Sequence, residues 1–116
     1  MKKLFIVEFM LVSSFGTNVM ADGHAIKMGI ILGFTGPIES LTPAMAGSAE
    51  LAFKEASDSG SLLGGKKIEV VRADSTCVDS AAATAAAEGV ISQGVAAIMG
   101  ADCSGVTGAI RSEEVV

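Results

Sequence analysis

Ser104 and Thr107 are two hydroxyl residues three positions apart, at the predicted start of a helix that follows an apolar strand. Gly100 and Gly105 keep the turn between strand and helix small. At such a junction the first N–H groups of the helix have no partner within it and carry the positive end of the helix dipole. Together with the two hydroxyls they suit a carboxylate or another small anion. The structural alternative is that Ser104 only caps the helix, with its oxygen held by the Thr107 N–H.

Three more residues complete the candidate ligand-binding set. Gly105 has no side chain, so a ligand can approach the backbone there, and Asp102 supplies a carboxylate in the same turn. Leu41, in the loop after the first predicted strand, is an apolar residue that can contact the apolar part of a ligand. Each has a plain structural alternative, because loop carboxylates commonly cap or solvate turns and apolar loop residues commonly pack locally.

The sequence favours neither a cofactor nor a metal site. The glycines near the first strand do not have the Gly-x-Gly-x-x-Gly spacing of a dinucleotide site, and no Gly-Lys-Ser/Thr follows a strand to form a phosphate-binding loop. His24 is the only histidine, which leaves a metal short of ligands. Nucleophilic catalysis by Ser104 needs a base, and His24 lies at the start of the predicted domain. We therefore assign no catalytic residue and expect no enzyme.

Residues 1–21 have the pattern of a secretory signal peptide, with a basic start, a mostly apolar segment and small residues ending at Ala21. A membrane anchor needs about 20 continuous apolar residues, and polar residues interrupt this run too early. We expect cleavage after Ala21, no stable membrane insertion, and a domain of residues 22–116 in the periplasm.

The formal net charge of the 116 residues is −5 at pH 7. An acidic chain is a poor partner for nucleic acids and for anionic membranes, because both repel negative charge. The charge does not argue against a small-molecule ligand, since one local pocket can oppose the overall balance. The predicted partner is therefore a small molecule.

The two cysteines, Cys77 and Cys103, follow the second and third predicted strands. In an exported protein two cysteines favour a disulfide, and parallel strands would bring both to the same end of the sheet. Two free thiols are the alternative. A redox-active pair is less favoured because the sequence has no Cys-x-x-Cys.

The elements that position these residues alternate between strand and helix. Strands are predicted over residues 26–32, 68–73 and 95–99. Helices are predicted from Thr42-Pro43 to Gly60, over residues 80–93 and from Ser104 onward, with Thr42 and Asp79 as N-caps and Pro43 in the first helical position. This βαβαβα order predicts an α/β fold with a doubly wound parallel sheet. Ligands bind such sheets beyond the carboxyl ends of the strands, where residues 33–42, 74–79 and 100–104 form loops.

In order and spacing, several segments of the chain resemble the start of the branched-chain amino-acid binding proteins of ABC importers. The segments are residues 26–32, Thr35-Gly36-Pro37, residues 64–71, residues 74–77 and residues 100–107. The resemblance implies a type I periplasmic binding protein fold, in which two α/β lobes close on a small ligand. Residues 22–116 would then be an incomplete first lobe, and the chain an N-terminal fragment.

The same resemblance implies roles for individual residues. The hydroxyl and N–H of Ser104 would hold the α-carboxylate of an amino acid, and Cys77 and Cys103 match the disulfide of the family. Leu41 stands where many relatives have an aromatic residue, which leaves the ligand open between branched-chain amino acids, amides, urea and aromatic acids. An ABC permease would be the partner of the complete protein.

Two rival functions remain on the sequence alone. An exported α/β enzyme of hydrolase-like architecture could have its catalytic residues after Val116. The same fold also serves as the ligand-sensing domain of membrane receptors. A later histidine that completes a triad would favour the enzyme, and a later membrane span would favour the sensor.

Overall fold

The computed structural model describes residues 24–113, so the predicted signal peptide of residues 1–21 lies outside the described residues. Three strands and three helices alternate along the described part of the chain. The strands are β1 Ile26–Leu32, β2 Ile68–Asp74 and β3 Ala97–Gly100; the helices are α1 Thr42–Asp58, α2 Ser80–Ile91 and α3 Ser104–Glu113. A short 3-10 helix, Leu62–Gly64, lies between α1 and β2.

The three strands form one parallel sheet in the order β2-β1-β3. Ile26 lies opposite Ile68 in the β1–β2 pair, and Met28 lies opposite Ala97 in the β1–β3 pair. The predicted α/β doubly wound sheet is thereby confirmed. Because the chain passes from β2 across β1 to β3, the strand order reverses between β1 and β3, and the carboxyl ends of these two strands flank the switch point of the sheet.

The central strand β1 is buried on both faces, as its continuous apolar run predicts. Ile31 packs on one face with residues of α2 and α3, among them Val90 and Val106. Ile30 and Leu32 pack on the other face with Ala46 of α1. All of these side chains are at most 2 % exposed. Helices α2 and α3 therefore cover one face of the sheet, and α1 covers the other.

Several element boundaries differ from the sequence predictions: β2 continues to Asp74, one residue further than predicted, and α1 ends at Asp58, before Gly60. The third strand pairs from Ala97 to Gly100 instead of over residues 95–99, because its register with β1 begins opposite Met28. The second helix ends at Ile91 and not at residue 93, since the last N–H groups turn back to carbonyls only three residues away and Gly94 takes a positive φ of 74°. The Asp79 N-cap of this helix is confirmed by its bonds to the N–H groups of residues 81 and 82.

Helix α1 begins differently from the expected Thr42 cap. Leu41 occupies the N-cap position, makes no side-chain cap bond, and is followed by Thr42 as the first helical residue. The Thr42 hydroxyl donates instead to the Gly33 carbonyl at 3.1 Å, and its side chain is completely buried. The hydroxyl therefore joins the helix to the end of β1 rather than closing the helix itself.

Gly29 provides a direct test of the packing between β1 and α2. A Cβ at this position would lie 2.6 Å from Val90 Cγ1 and 3.1 Å from Ile98 Cγ1. We expect Gly29→Ala to lower the free energy of unfolding by about 1 to 3 kcal/mol, because overpacking a filled core forces side chains out of their preferred rotamers. Urea unfolding followed by circular dichroism measures the change.

The matched control is Gly89→Ala, within α2, where an added Cβ meets nothing within 4 Å. Alanine is the better helix former, so this variant should gain up to about 1 kcal/mol. Equal effects of the two substitutions would contradict the packing described for Gly29.

Candidate ligand-binding site

The N-terminus of α3 presents free hydrogen-bond donors at the switch point of the sheet. The Thr107 N–H donates to the Cys103 carbonyl at 3.0 Å, and not to the Ser104 hydroxyl as the capping alternative would require. Ser104 is exposed. The N–H groups of Ser104 and Gly105, which are both exposed, have no acceptor among residues 24–113, and their partial positive charge lies at the end of the helix dipole.

The other two predicted site residues of α3, Thr107 and Gly105, differ in their surroundings. The Thr107 hydroxyl lies 3.0 Å from the Ala101 carbonyl and 2.9 Å from the Cys103 carbonyl, so its hydrogen is used within the turn that leads into the helix. Gly105 is exposed, and a Cβ there would meet nothing within 4 Å. Thr107 thus stabilises the turn, while Gly105 leaves the backbone open.

Asp102 is half-buried and bonds to the neighbouring strand. Its two carboxylate oxygens accept from the Gly33 N–H at 3.2 and 3.0 Å, across the gap between the ends of β1 and β3. The predicted ligand-binding residue is therefore already bonded to the first residue of the β1–α1 loop. Its direct contact with a ligand stays a prediction.

Asp74 makes the corresponding connection between β2 and the β1–α1 loop. Its carboxylate accepts from the Thr35 hydroxyl at 2.6 Å and the Thr35 N–H at 3.3 Å, and it also accepts from the Thr76 N–H at 2.8 Å. The two loops pass so close that a Cβ on Gly36, which has a positive φ of 94°, would lie 2.5 Å from the Thr76 carbonyl oxygen. Only glycine fits this position without a shift of backbone.

The hydrogen bonds to Asp74 change its ionisation. Partial burial alone would raise the pKa of this carboxyl group, but bonds from the Thr35 hydroxyl and from the backbone N–H groups of Thr76 and Thr35 favour the charged form. The bonds outweigh the burial, and the pKa of Asp74 falls below its ordinary value of 3.8.

Cys77 and Cys103 form a disulfide, with their Cα atoms 5.3 Å apart, which confirms the predicted pairing. The bond closes a loop over a sequence separation of 26 residues. In the chain-entropy model such a loop contributes about 3.5 kcal/mol to stability. The disulfide joins the loop after β2 to the loop after β3, although β1 lies between these strands in the sheet.

Each pair of loops at the carboxyl edge is therefore joined by one connection. We call these connections the three ties: Asp74 with Thr35, Asp102 with Gly33, and Cys77 with Cys103. The first two are hydrogen bonds to carboxylates, and the third is covalent. Together they hold the α3 N-terminus and the β1–α1 loop at one edge of the sheet.

Leu41, the apolar residue of the predicted site, is 60 % exposed at the start of α1. It follows the same loop that Asp74 and Asp102 hold, and the adjacent Thr42 fixes it to Gly33. Phe34, in contrast, packs on the α1 face of the sheet, with the Arg72 guanidinium 5.5 Å from its ring centre. Leu41 is thus available for contact, whereas Phe34 belongs to the core.

A groove of about 440 Å³ lies between α1 and the start of β2, away from this edge. Its floor includes Phe53 and Ile68, and its rim has the exposed ion pair of Lys54 with Asp58. No predicted site residue lines the groove. Among residues 24–113 no cluster of three or more His, Cys, Asp or Glu side chains could hold a metal ion, and no helix has the length and hydropathy to cross a membrane.

A model of the family described as "Periplasmic binding protein" matches residues 25–113, which is well over half of the chain. The chain belongs to the periplasmic binding protein family. No curated protein matches the chain. The parallel sheet with alternating helices agrees with part of a type I periplasmic binding protein domain. Membership supports a substrate-binding role in transport and a periplasmic location, in a family that is generally non-enzymatic.

Sequence reasoning missed three residues that shape the candidate site of this periplasmic binding protein. Thr42 reads as a helix cap, and Thr35 and Asp74 read as ordinary loop residues. Their real partners lie 9 to 39 positions away along the chain. Their positions along the chain could have indicated this: each lies at or near the boundary of an element, and the topology brings these boundaries to the same edge of the sheet.

Acid titration tests the bonds of Asp74. Since its pKa is lower in the folded protein, its contribution to stability is present above the unfolded value of about 3.8 and is lost as the pH falls through the folded value. Stability of the wild type should therefore fall more steeply below about pH 4 than that of Asp74→Asn. Urea unfolding between about pH 2 and pH 7 measures both profiles.

Asp58→Asn is the control, because Asp58 also has a lowered pKa but owes it to the exposed ammonium of Lys54. Its effect should be smaller and should vanish in about 1 M salt, which screens surface charges. The Asp74 effect should persist there, since its donors are neutral. Parallel wild-type and Asp74→Asn profiles would refute the assignment.

Proposed function

We propose that this periplasmic binding protein is the solute receptor of an ABC importer, and that the N-terminus of α3 binds the carboxylate of a small amino acid, branched-chain or related. The observation that carries the proposal is the pair of exposed donors at Ser104 and Gly105. They lie at the switch point between β1 and β3, the position where open α/β sheets bind ligands.

The chemistry of this edge matches a carboxylate. Two exposed N–H groups without acceptors, a neighbouring hydroxyl and the helix dipole all stabilise negative charge. The open space above Gly105 lets ligand oxygens approach the N–H groups directly. Because Asp102 is bonded to Gly33, its charge faces the neighbouring strand and not an empty cleft. A carboxylate can therefore bind where the donors are.

The apolar part of the ligand would be met by Leu41. The Leu41 side chain is 60 % exposed, so much of its apolar surface is in contact with water. An aliphatic group of the ligand would bury this surface, which is favourable. An aliphatic residue here favours an aliphatic over a strongly polar ligand. A second lobe and an ABC permease would complete the receptor, and residues 1–21 would direct its export.

The test is a titration of the ¹⁵N-labelled chain with L-leucine, followed by the amide resonances of Ser104 and Gly105. L-Leucinamide, which lacks the carboxylate, is the matched ligand control. We expect these two amides to shift with L-leucine and much less with L-leucinamide. In the complete receptor, Ser104→Ala should weaken binding by about 1.5 to 3 kcal/mol.

Gly105→Ala separates ligand contact from folding. The added methyl meets no atom of the protein, so stability should be kept or slightly raised, but it occupies the space through which the carboxylate approaches. Gly89→Ala in α2 is the control for helix propensity. If L-leucine and L-leucinamide shift the same amides equally, or if Gly105→Ala binds as the wild type does, the carboxylate site is wrong.

A further inference from the structure

The peptide groups of Gly33 are bonded on both sides. Its N–H donates to the Asp102 carboxylate at 3.0 Å, and its carbonyl accepts from the Thr42 hydroxyl at 3.1 Å. Gly33 itself is buried. Asp102 lies two residues before Ser104, and Thr42 lies one residue after Leu41. A continuous path of short contacts therefore connects the two ends of the candidate site.

We propose that Asp102 and Thr42 are positioning residues, which couple the Leu41 loop to the N-terminus of α3 through the peptide groups of Gly33. The proposal rests on the proposed function in that these two segments are the ligand-binding ones. It gives Asp102 a role that needs no contact with the ligand. Thr42, which the sequence predicts as a helix cap, instead holds the carbonyl side of Gly33, as Asp102 holds its N–H.

The hydrogen-bond pattern of β1 explains why Asp102 is needed. The Ala96 N–H donates to the Lys27 carbonyl, so β1 faces β3 at residues 27, 29, 31 and 33. β3 ends at Gly100, opposite Ile31, and the next β1 donor is the Gly33 N–H. The Asp102 carboxylate takes the place of the strand acceptor that is missing there. The buried N–H would otherwise lack a partner.

Thr42 performs the matching task on the other side of Gly33. Its side chain is fully buried, so the position of its hydroxyl is fixed by packing. Thr42 is the first residue of α1 and directly follows Leu41. Its bond to the Gly33 carbonyl therefore fixes the position of Leu41 relative to the end of β1. A shift of α3 would move Asp102, then Gly33, then Leu41, and the reverse path is equally direct.

Amide hydrogen exchange of the ligand-free chain tests the coupling, with each substitution read on the far side of Gly33. Thr42→Val removes the hydroxyl and should accelerate exchange of the Thr107 N–H, which bonds to Cys103, by about tenfold or more. Asp102→Ala should do the same for the Met45 N–H, which bonds to the Leu41 carbonyl. The control amide is Ser92, at the end of α2.

Thr42→Ser, which keeps the hydroxyl, should restore the Thr107 exchange rate. If Thr42→Val or Asp102→Ala does not fold, Asp102→Asn is the deciding variant. Its amide keeps one acceptor oxygen for the Gly33 N–H, so it should fold, but it loses the charge that strengthens this bond. It must therefore still accelerate exchange at Met45 more than at Ser92. Unchanged far-side amides, or equal acceleration at Ser92, overturn the coupling. Failure of L-leucine to bind the wild-type chain would instead remove the proposed function and leave the exchange result standing.

Discussion

The Cys77–Cys103 disulfide is the constraint on which the carboxyl edge depends, because it joins loops from two strands that are not neighbours. The end of β1 passes between those strands, and a Cβ on Gly33 would lie only 3.1 Å from Cys77 Cβ. A covalent link across β1 thus fixes the space that the β1–α1 loop can occupy. The carboxylates of Asp74 and Asp102 then attach this loop to either side. The donors of α3 are held still as a result.

In this arrangement, the residues that stabilise the turn differ from the residues that are open to a ligand, although all lie within a short stretch of chain. Thr107 and Asp102 satisfy groups of the protein, whereas Ser104 and Gly105 face outward with donors to spare. Preorganised donors cost little further ordering when a ligand arrives, so the edge suits recognition of a small anion. A receptor with this division can lose ligand affinity by substitution without losing its fold.

The sequence predicts the fold well because β1 carries its own signal. A continuous apolar run requires burial on both faces, and alternating helices then require a parallel sheet. The disulfide was predicted from the expected export of the chain and from the topology, and the structure contains it. The start of β3 could not be predicted, since Val95 is apolar enough for a strand and only the register with Met28 excludes it.

The positions of the candidate residues at one edge of the sheet could be predicted from the sequence, but their hydrogen bonds could not. Ser104 and Gly105 are visible from strand, turn and helix signals alone. The partner of Asp102 is 69 positions away along the chain. The Thr42 hydroxyl has two possible partners, a backbone group of its own helix or the Gly33 carbonyl. Local propensity favours the helix cap, but burial of Thr42 and of the Gly33 carbonyl makes the tertiary bond the better one. Such choices depend on distances that only the folded chain provides.

The most direct measurement is native-state hydrogen exchange of the oxidised chain against the chain reduced by a dithiol. If the three ties act as one unit, reduction accelerates the Gly33 and Thr35 N–H groups, which bond to Asp102 and Asp74 and not to the cysteines. The Ser92 N–H in α2 should change far less. Acceleration confined to the residues next to Cys77 and Cys103 would contradict the account.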